Sequence, residues 1–278
     1  MNFSFEKYHG TGNDFIVVDA DICVPNRAAF AREACDRAEG IGADGVLFLA
    51  LEPDYRPPRV VMTLVQPDGS TAEMCGNGAR CAAVWAAERA NADEVMIDTL
   101  AGTRYARVRD GSATIEMGPP RFAPDAVPVA RDEPLVRERV GDYEVTAVNT
   151  GVPHAVAFVD DVHAVDIEQV APEIRHADAF PEGANVTFAS RRPDGFDQRT
   201  FERGVEGETR SCGTGAVAIA AVARRLELAD DERVSVSPPG GDLDVTVGDR
   251  TVSLSGPVER EFEGDVSLSA TGRLDSEA

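Results

Sequence analysis

Two cysteines open two apolar runs in the same glycine-rich frame. Met74-Cys75-Gly76-Asn77-Gly78-Ala79-Arg80 begins a run that ends near Arg89, and Ser211-Cys212-Gly213-Thr214-Gly215-Ala216 begins another that reaches Leu228. Each half of the chain holds one of them. A cysteine followed by glycine, a small polar residue and glycine predicts the start of a helix. The exposed N–H groups of a first helical turn carry roughly half a positive charge, summed from the peptide dipoles. That end stabilises a thiolate and binds a carboxylate at the same spot. A single cysteine so placed is more often a small buried residue than a catalyst; the repetition is what points to chemistry. Two opposed thiols suit inversion at a carbon, one thiolate removing a proton while the other thiol delivers one to the opposite face. The carbon must be acidified. An amino acid's own carboxylate can help if N–H groups stabilise the charge it gains, here Gly76 and Asn77 from one side and Gly213 and Thr214 from the other. A pyridoxal cofactor would need a Schiff-base lysine, and Lys7, in an expected strand, is the only lysine in the chain. Chemistry without a cofactor is expected.

The elements that would position these residues read as follows. Asn2 to Tyr8 alternates and predicts a strand, leading into the loop His9-Gly10-Thr11-Gly12-Asn13-Asp14 and a strand from Phe15 to Asp19. The glycines of that loop would present Asn13 and Asp14 to a cleft, unless it is a plain hairpin turn. A helix is expected from Pro25-Asn26 to Arg37, then strands at 46–50 and 60–65, and a turn at Gln66-Pro67-Asp68-Gly69-Ser70 just ahead of Cys75. The run after Cys75 is apolar nearly all round, which predicts a helix enclosed by other elements. Short strands follow at 94–98, 103–108 and 113–117, and Gly118-Pro119-Pro120 breaks the pattern. The second half repeats this style, with strands at 143–148, 154–159, 185–189 and 197–203 and a helix near 166–175. A buried helix at 213–227 and strands at 233–237, 243–247 and 251–255 complete it. Asp265 to Leu268 can form a last strand, and Thr271 to Ala278 is expected to fray.

The expected architecture is therefore mixed α/β, of the α+β type. It has two pseudo-symmetric domains, each a curved, mostly antiparallel sheet wrapped around a central helix. The first would span 1–118, completed by a C-terminal strand from within 263–278, and the second 119–262. Packed face to face, two such domains would bring Cys75 and Cys212 to either side of one bound molecule.

Composition narrows the classes. The chain has 278 residues, 43% of them hydrophobic, enough for a sizeable core. Its 27 basic and 49 acidic residues give a formal charge of −22, a field that repels nucleic acid and anionic membrane, so neither is an expected partner. No apolar run reaches membrane-spanning length and the first residues lack the features of a signal peptide, which suggests a cytoplasmic protein. An acid-rich, lysine-poor surface suits a salt-rich cytoplasm, where charge is screened over about 3 Å near 1 M salt. Five cysteines without C-x-x-C spacing and four histidines without H-x-x-x-H spacing support neither a disulfide scaffold nor a metal site. Cys23, Cys35 and Cys81 lack the glycine frame and are expected in the core or on the surface.

At this point a resemblance becomes specific. The pieces HGTGNDF, GIGADGVL, PDGSTAEMCGNGARC, GVPHAV, GANVTF, FERGVEGETRSCGTGA and GPVEREFEG resemble the diaminopimelate epimerase family over almost the full length of the chain. Proline racemases share the fold and the cysteine pair, but their first cysteine motif carries histidine where this chain has Asn77. The resemblance implies conversion of LL-2,6-diaminopimelate to the meso isomer without cofactor, on the route to lysine, by a homodimer. It implies Cys75 as proton donor and Cys212 as acceptor, with His154 and Glu202 tuning them. Asn13, Gln66, Asn185, Glu202 and Arg203 would hold the substrate's amino and carboxylate groups. Val152, Gln66 and Gly45 depart from residues common in the family, which bears on contacts at the substrate's distal end. The alternatives are an epimerase or racemase of another amino acid such as proline or hydroxyproline, a non-catalytic amino-acid-binding protein, and a thiol redox protein.

Overall fold

A computed structural model of the chain describes residues 2–268 and 274–277. It divides into two compact units, Met1–Ile115 with Gly256–Ala278, and Glu116–Ser255. Each contains a mixed, mostly antiparallel sheet and two helices.

In the first unit the neighbouring strands run Leu274–Glu277, Glu259–Leu268, Asn2–Gly10, Asn13–Asp19, Gly45–Glu52, Arg59–Val65, Glu94–Thr99, Gly102–Arg109 and Ser112–Gly118. Two pairings are parallel, Asn13–Asp19 with Gly45–Glu52 and Arg59–Val65 with Glu94–Thr99. Each parallel step needs a crossover. Helix α1 (Arg27–Ala34) lies within the first crossover and helix α2 (Gly76–Ala90) within the second. Phe15 to Val18 and Val46 to Leu49 are buried without alternation, because both faces of these strands are covered. Ile16, Val18, Val46 and Phe48 join Phe30 and Ala31 of α1 in one core. The opposite face carries Phe15 and Leu47, which pack close to Gly78 in the first turn of α2.

The second unit repeats this order. Glu138–Val140, Tyr143–Asn149, Pro153–Val159, Asn185–Arg192, Gly195–Glu202, Arg233–Ser237, Leu243–Val247 and Val252–Pro257 lie side by side. The parallel steps fall at the same places, with α3 (Ile167–Arg175) in the first crossover and α4 (Gly213–Arg225) in the second. Short strands Thr71–Ala72 and Gly207–Thr209, too brief to show in the sequence, pair just ahead of Cys75 and Cys212 respectively. From Gly76 to Ala87 and from Gly213 to Ala223 every residue of α2 and α4 is buried. The alanine-rich compositions of both helices fit: small side chains let a sheet close on the helix from several sides.

Local details differ from the sequence reading. The glycine loop is a two-residue hairpin, Thr11-Gly12, with positive φ at both positions and Gly10 paired to Asn13. Asn13 therefore begins a strand. Helix α1 is shorter than expected, because Asn26 caps its start and the Asp36 carboxylate accepts from the N–H groups of Ala38 and Glu39, turning the chain. The closing strand begins at Glu259 because it pairs along Asn2–Gly10. Leu274–Glu277, expected to fray, is a strand on Asp265–Leu268; the rest of the expected frayed tail lies outside the described residues.

Gly215 shows how tightly the α4 start is packed. A Cβ there would lie 2.6 Å from Gln198 Nε2 and 3.1 Å from Thr200 Oγ1. Helix propensity alone gives Ala about 1 kcal/mol over Gly. Overpacking costs about 1–3 kcal/mol, so Gly215→Ala is expected to lower the unfolding free energy in a denaturant melt.

Candidate active site

Each central helix begins with its cysteine as the N-cap. Cys75 and Cys212 have extended backbone, φ −142° and −122°, and their carbonyls accept from the N–H groups of Ala79 and Ala216. At α2, Sγ of Cys75 accepts from the Gly78 N–H at 3.4 Å, a cap that serine or asparagine would ordinarily supply.

A locked amide network surrounds Cys75. Asn13 donates through Nδ2 to Asp44 at 2.6 Å, which turns its Oδ1 toward the helix. That oxygen accepts from Asn77 Nδ2 at 3.1 Å and from the Cys75 thiol at 3.8 Å. Asn77 is itself oriented by Arg80, whose Nη1 donates to Asn77 Oδ1 at 2.9 Å while Nη2 donates to Thr11 Oγ1 at 3.1 Å. Arg80 is fully buried; burial pushes its pKa down to about 10, with Cys81 and Cys75 acting in the opposite sense. It stays cationic at neutral pH and bears on Cys75. Behind Asn13, Lys7 pairs with Asp14 at 2.6 Å and donates to the Gly42 carbonyl, and Arg37 bridges Asp14 and Asp44 at 2.7 Å each. Burial alone would raise the Asp14 carboxyl, but hydrogen bonds from Arg37 and Lys7 outweigh it and hold the pKa at about 2.

Around Cys212 the chemistry is different. Its Sγ lies 3.4 Å from Thr214 Oγ1, and Thr214 Oγ1 lies 3.0 Å from His154 Nε2. His154 is fully buried and its Nδ1 meets Thr187 Oγ1 at 3.0 Å. Burial, then the nearby Arg203 charge, push its pKa down to about 3, so the ring is neutral at physiological pH. Asn185, opposite His154 on the parallel neighbour strand, accepts from the Arg203 N–H at 2.7 Å and turns Nδ2 toward His154 Nε2 at 3.5 Å.

The expected residues thus gather in two groups. Asn13, Cys75, Gly76 and Asn77 meet at the start of α2; Cys212, Gly213, Thr214, His154 and Asn185 meet at the start of α4, with Arg203 beside Asn185. Gln66 sits in the turn after its strand, its side-chain oxygen accepting from Ser70 Oγ at 2.9 Å. Glu202 accepts from Thr209 Oγ1 at 2.5 Å, and Arg203 also donates to the carbonyls of Glu182 and Gly183. His154 touches Thr214, whose hydroxyl in turn meets Cys212. The sequence reading overlooked Arg80, Asp44, Thr187, Gln198 and Thr200. A signal existed for the last three: polar residues at alternate positions of their strands, on one face with Asn185 and Glu202. Burial raises the thiols of Cys35 and Cys81 to about 12, which keeps both protonated and inert. Among the described residues no cluster of metal-ligating side chains occurs.

Comparison with known proteins adds the family. A family model described as diaminopimelate epimerase matches residues 5–123 and 146–260. The diaminopimelate epimerase of Methanocella arvoryzae is 47% identical, covering 95% of this chain and 96% of that protein. The diaminopimelate epimerase of Methanothrix thermoacetophila is 46% identical, covering 95% of each. Among solved structures, a predicted epimerase from Pseudomonas aeruginosa superposes with a TM-score of 0.70 at 16% identity, covering 96% of this chain and all of that one. A hydroxyproline epimerase from Agrobacterium vitis, solved with bound trans-4-hydroxy-L-proline, gives 0.65 at 19% identity over 98% of this chain and 93% of that one. At these identities the structures show the fold alone.

The buried neutral imidazole makes stability depend on pH. An unfolded histidine titrates near 6.5 and His154 at about 3, so between those values the unfolded chain binds the extra proton. Stability falls as pH drops through that window, by about 2 kcal/mol from about pH 7 to about pH 5. Denaturant unfolding at both pH values should show this loss in the wild type beyond that in His154→Gln; equal losses would refute a buried neutral ring.

Proposed function

The chain belongs to the diaminopimelate epimerase family, and we propose that it converts LL-2,6-diaminopimelate to the meso isomer by proton transfer between two cysteines and one α-carbon. It is an isomerase of the amino-acid epimerase type. One observation carries the mechanism: Cys75 and Cys212 cap the central helix at the same topological position of two repeated units. In the forward direction the Cys212 thiolate removes the α-proton and the Cys75 thiol protonates the opposite face. Each transfer is general acid or base catalysis by sulfur and is worth about 10²–10⁴ in rate. The carbanion's charge spreads into the α-carboxylate, where N–H groups of Gly76, Asn77, Gly213 and Thr214 stabilise it.

Side chains divide the remaining work by charge. Asn13, Gln66 and Asn185 offer amides, Glu202 pairs with an ammonium, and Arg203 presents a fork suited to a carboxylate. His154 acts on Cys212 through Thr214. No cofactor is invoked; Lys7, the only lysine, is held by Asp14 and Gly42. The same family membership supports a homodimer in the cytoplasm, serving lysine formation. No helix among the described residues is long and apolar enough to cross a membrane. The acidic, lysine-poor composition supports operation at high salt.

Proton NMR of LL-diaminopimelate with the protein in heavy water, at high salt, tests this. The α-proton signal should disappear as the meso isomer forms, and Cys75→Ala or Cys212→Ala should each slow the exchange at least about 10²-fold. Proline and hydroxyproline, run alongside, should not turn over. Exchange of either in place of diaminopimelate would move the chain to another substrate on this fold.

A further inference from the structure

We propose that Gln198 anchors a one-way chain of buried hydrogen bonds that commits the Thr214 hydroxyl proton to Cys212 and so favours its thiolate. This deepens the assignment of Cys212 as proton acceptor and rests on it. Donors and acceptors can be assigned along a path in which every side chain is less than a tenth exposed.

Gln198 comes first. Its Nε2 lies 3.0 Å from the Cys212 carbonyl oxygen and 3.0 Å from Thr200 Oγ1. A carbonyl only accepts, so the amide must present its NH₂ there and cannot be flipped. Thr200 Oγ1 then accepts from Gln198, and its single proton goes to Thr187 Oγ1 at 3.3 Å. Thr187, having accepted, donates to His154 Nδ1 at 3.0 Å. That nitrogen is therefore the unprotonated one, and Nε2 carries the hydrogen. Nε2–H donates to Thr214 Oγ1, and the Thr214 proton has Cys212 Sγ as its acceptor at 3.4 Å.

The reverse polarity fails at one point. If His154 Nδ1 carried the hydrogen, Thr187 would donate to Thr200, and Thr200 Oγ1, accepting from both Thr187 and Gln198, would keep a proton with no acceptor among these neighbours. A buried hydroxyl proton would then be left unpaired, at the full desolvation cost of that group. The chosen polarity does set Asn185 Nδ2 against His154 Nε2–H, but that contact is held off at 3.5 Å. The hydroxyl proton decides, because an N···N approach of 3.5 Å is at the limit of a hydrogen bond and little is lost with it. Gly215 belongs to the same device, since a Cβ there would displace the Gln198 amide.

A hydroxyl that donates to sulfur favours thiolate; one that offers only lone pairs favours thiol. The two units differ in this respect. Cys75 faces the Asn13 carbonyl oxygen and donates its thiol proton to it. The charged groups near the chain are few. Glu202 lies on the same strand face and is bonded to Thr209, Arg203 acts on His154, and α4 itself has no ionisable residue before Arg224. Arg199 pairs with Glu208 from the opposite face of its strand, and Asp244, from a strand packed on α4, pairs with Arg233.

The test titrates Cys212 in the full-length protein without substrate. Ultraviolet thiolate absorbance is followed against pH as the difference between each protein and its Cys212→Ser counterpart, with Cys75→Ser differences as control. Thr200→Val removes the relay and should raise the Cys212 midpoint by about one pH unit, as for loss of a hydrogen bond to a charged group. Thr200→Ser restores the hydroxyl and should titrate like the wild type, and the Cys75 midpoint should not move. Should Thr200→Val not fold, Gln198→Met removes the anchor and should give the same shift. An unmoved Cys212 midpoint in a folded variant, or an equal shift at Cys75, overturns the proposal. Because no substrate is present, failure of the epimerase assignment would show separately, as absent turnover of diaminopimelate by the wild type.

Discussion

A helix buried along its whole length can meet solvent or ligand only at its ends. That constraint governs both units. Enclosing α2 and α4 demands small apolar residues along them, and it concentrates their unsatisfied N–H groups at two N-termini. Those groups need acceptors. A cysteine at the N-cap is a poor substitute for serine or aspartate as a structural cap, yet it places a polarisable, titratable atom where the helix field is strongest. The glycines that follow let neighbouring strands approach that end, as the 3.3 Å gap between a Gly78 Cβ position and Leu47 shows.

With the same scaffold used twice, the difference between the sites lies in what the neighbouring strands contribute. The registers superimpose: Phe15 opposite Gly45 in the first unit takes the place of His154 opposite Asn185 in the second. Gln66 and Glu202, each just past the residue paired to Val46 or Val186, are likewise counterparts. One cysteine is therefore surrounded by amides and a buried guanidinium, the other by hydroxyls and a neutral imidazole. Both hydrogen-bond polarity and local charge distinguish them.

The charged groups behind the first site illustrate how such burial is tolerated. Lys7 is almost wholly enclosed, yet it has Asp14 and a carbonyl as partners, and Arg37 closes the cluster from the solvent side. Arg80 has only neutral oxygen partners among its hydrogen bonds, and its Nε has none. Its positive charge is costly to bury, and the lowered pKa is the sign of that cost. A guanidinium kept there fixes the Asn77 amide and supplies a positive field beside Cys75.

The sequence by itself determined the repeat, the two enclosed helices, the cysteines that open them and the family. The first three rest on short-range rules, apolar periodicity, glycine at helix starts and alternation in strands, and the family rests on the resemblance of long motifs. It also marked His154 and Asn185, though not their adjacency. Only the tertiary structure decided that Thr11-Gly12 closes a hairpin, that Asp44 and Arg80 orient Asn13 and Asn77, and that Thr214 stands between His154 and Cys212. It alone joined Gln198, Thr200 and Thr187 into one chain. The reason is physical. A hydrogen bond's direction depends on which donors and acceptors meet across parallel and antiparallel registers, and strands far apart in sequence set those registers. Local pattern establishes that a threonine is buried; the neighbouring strand determines where its proton goes.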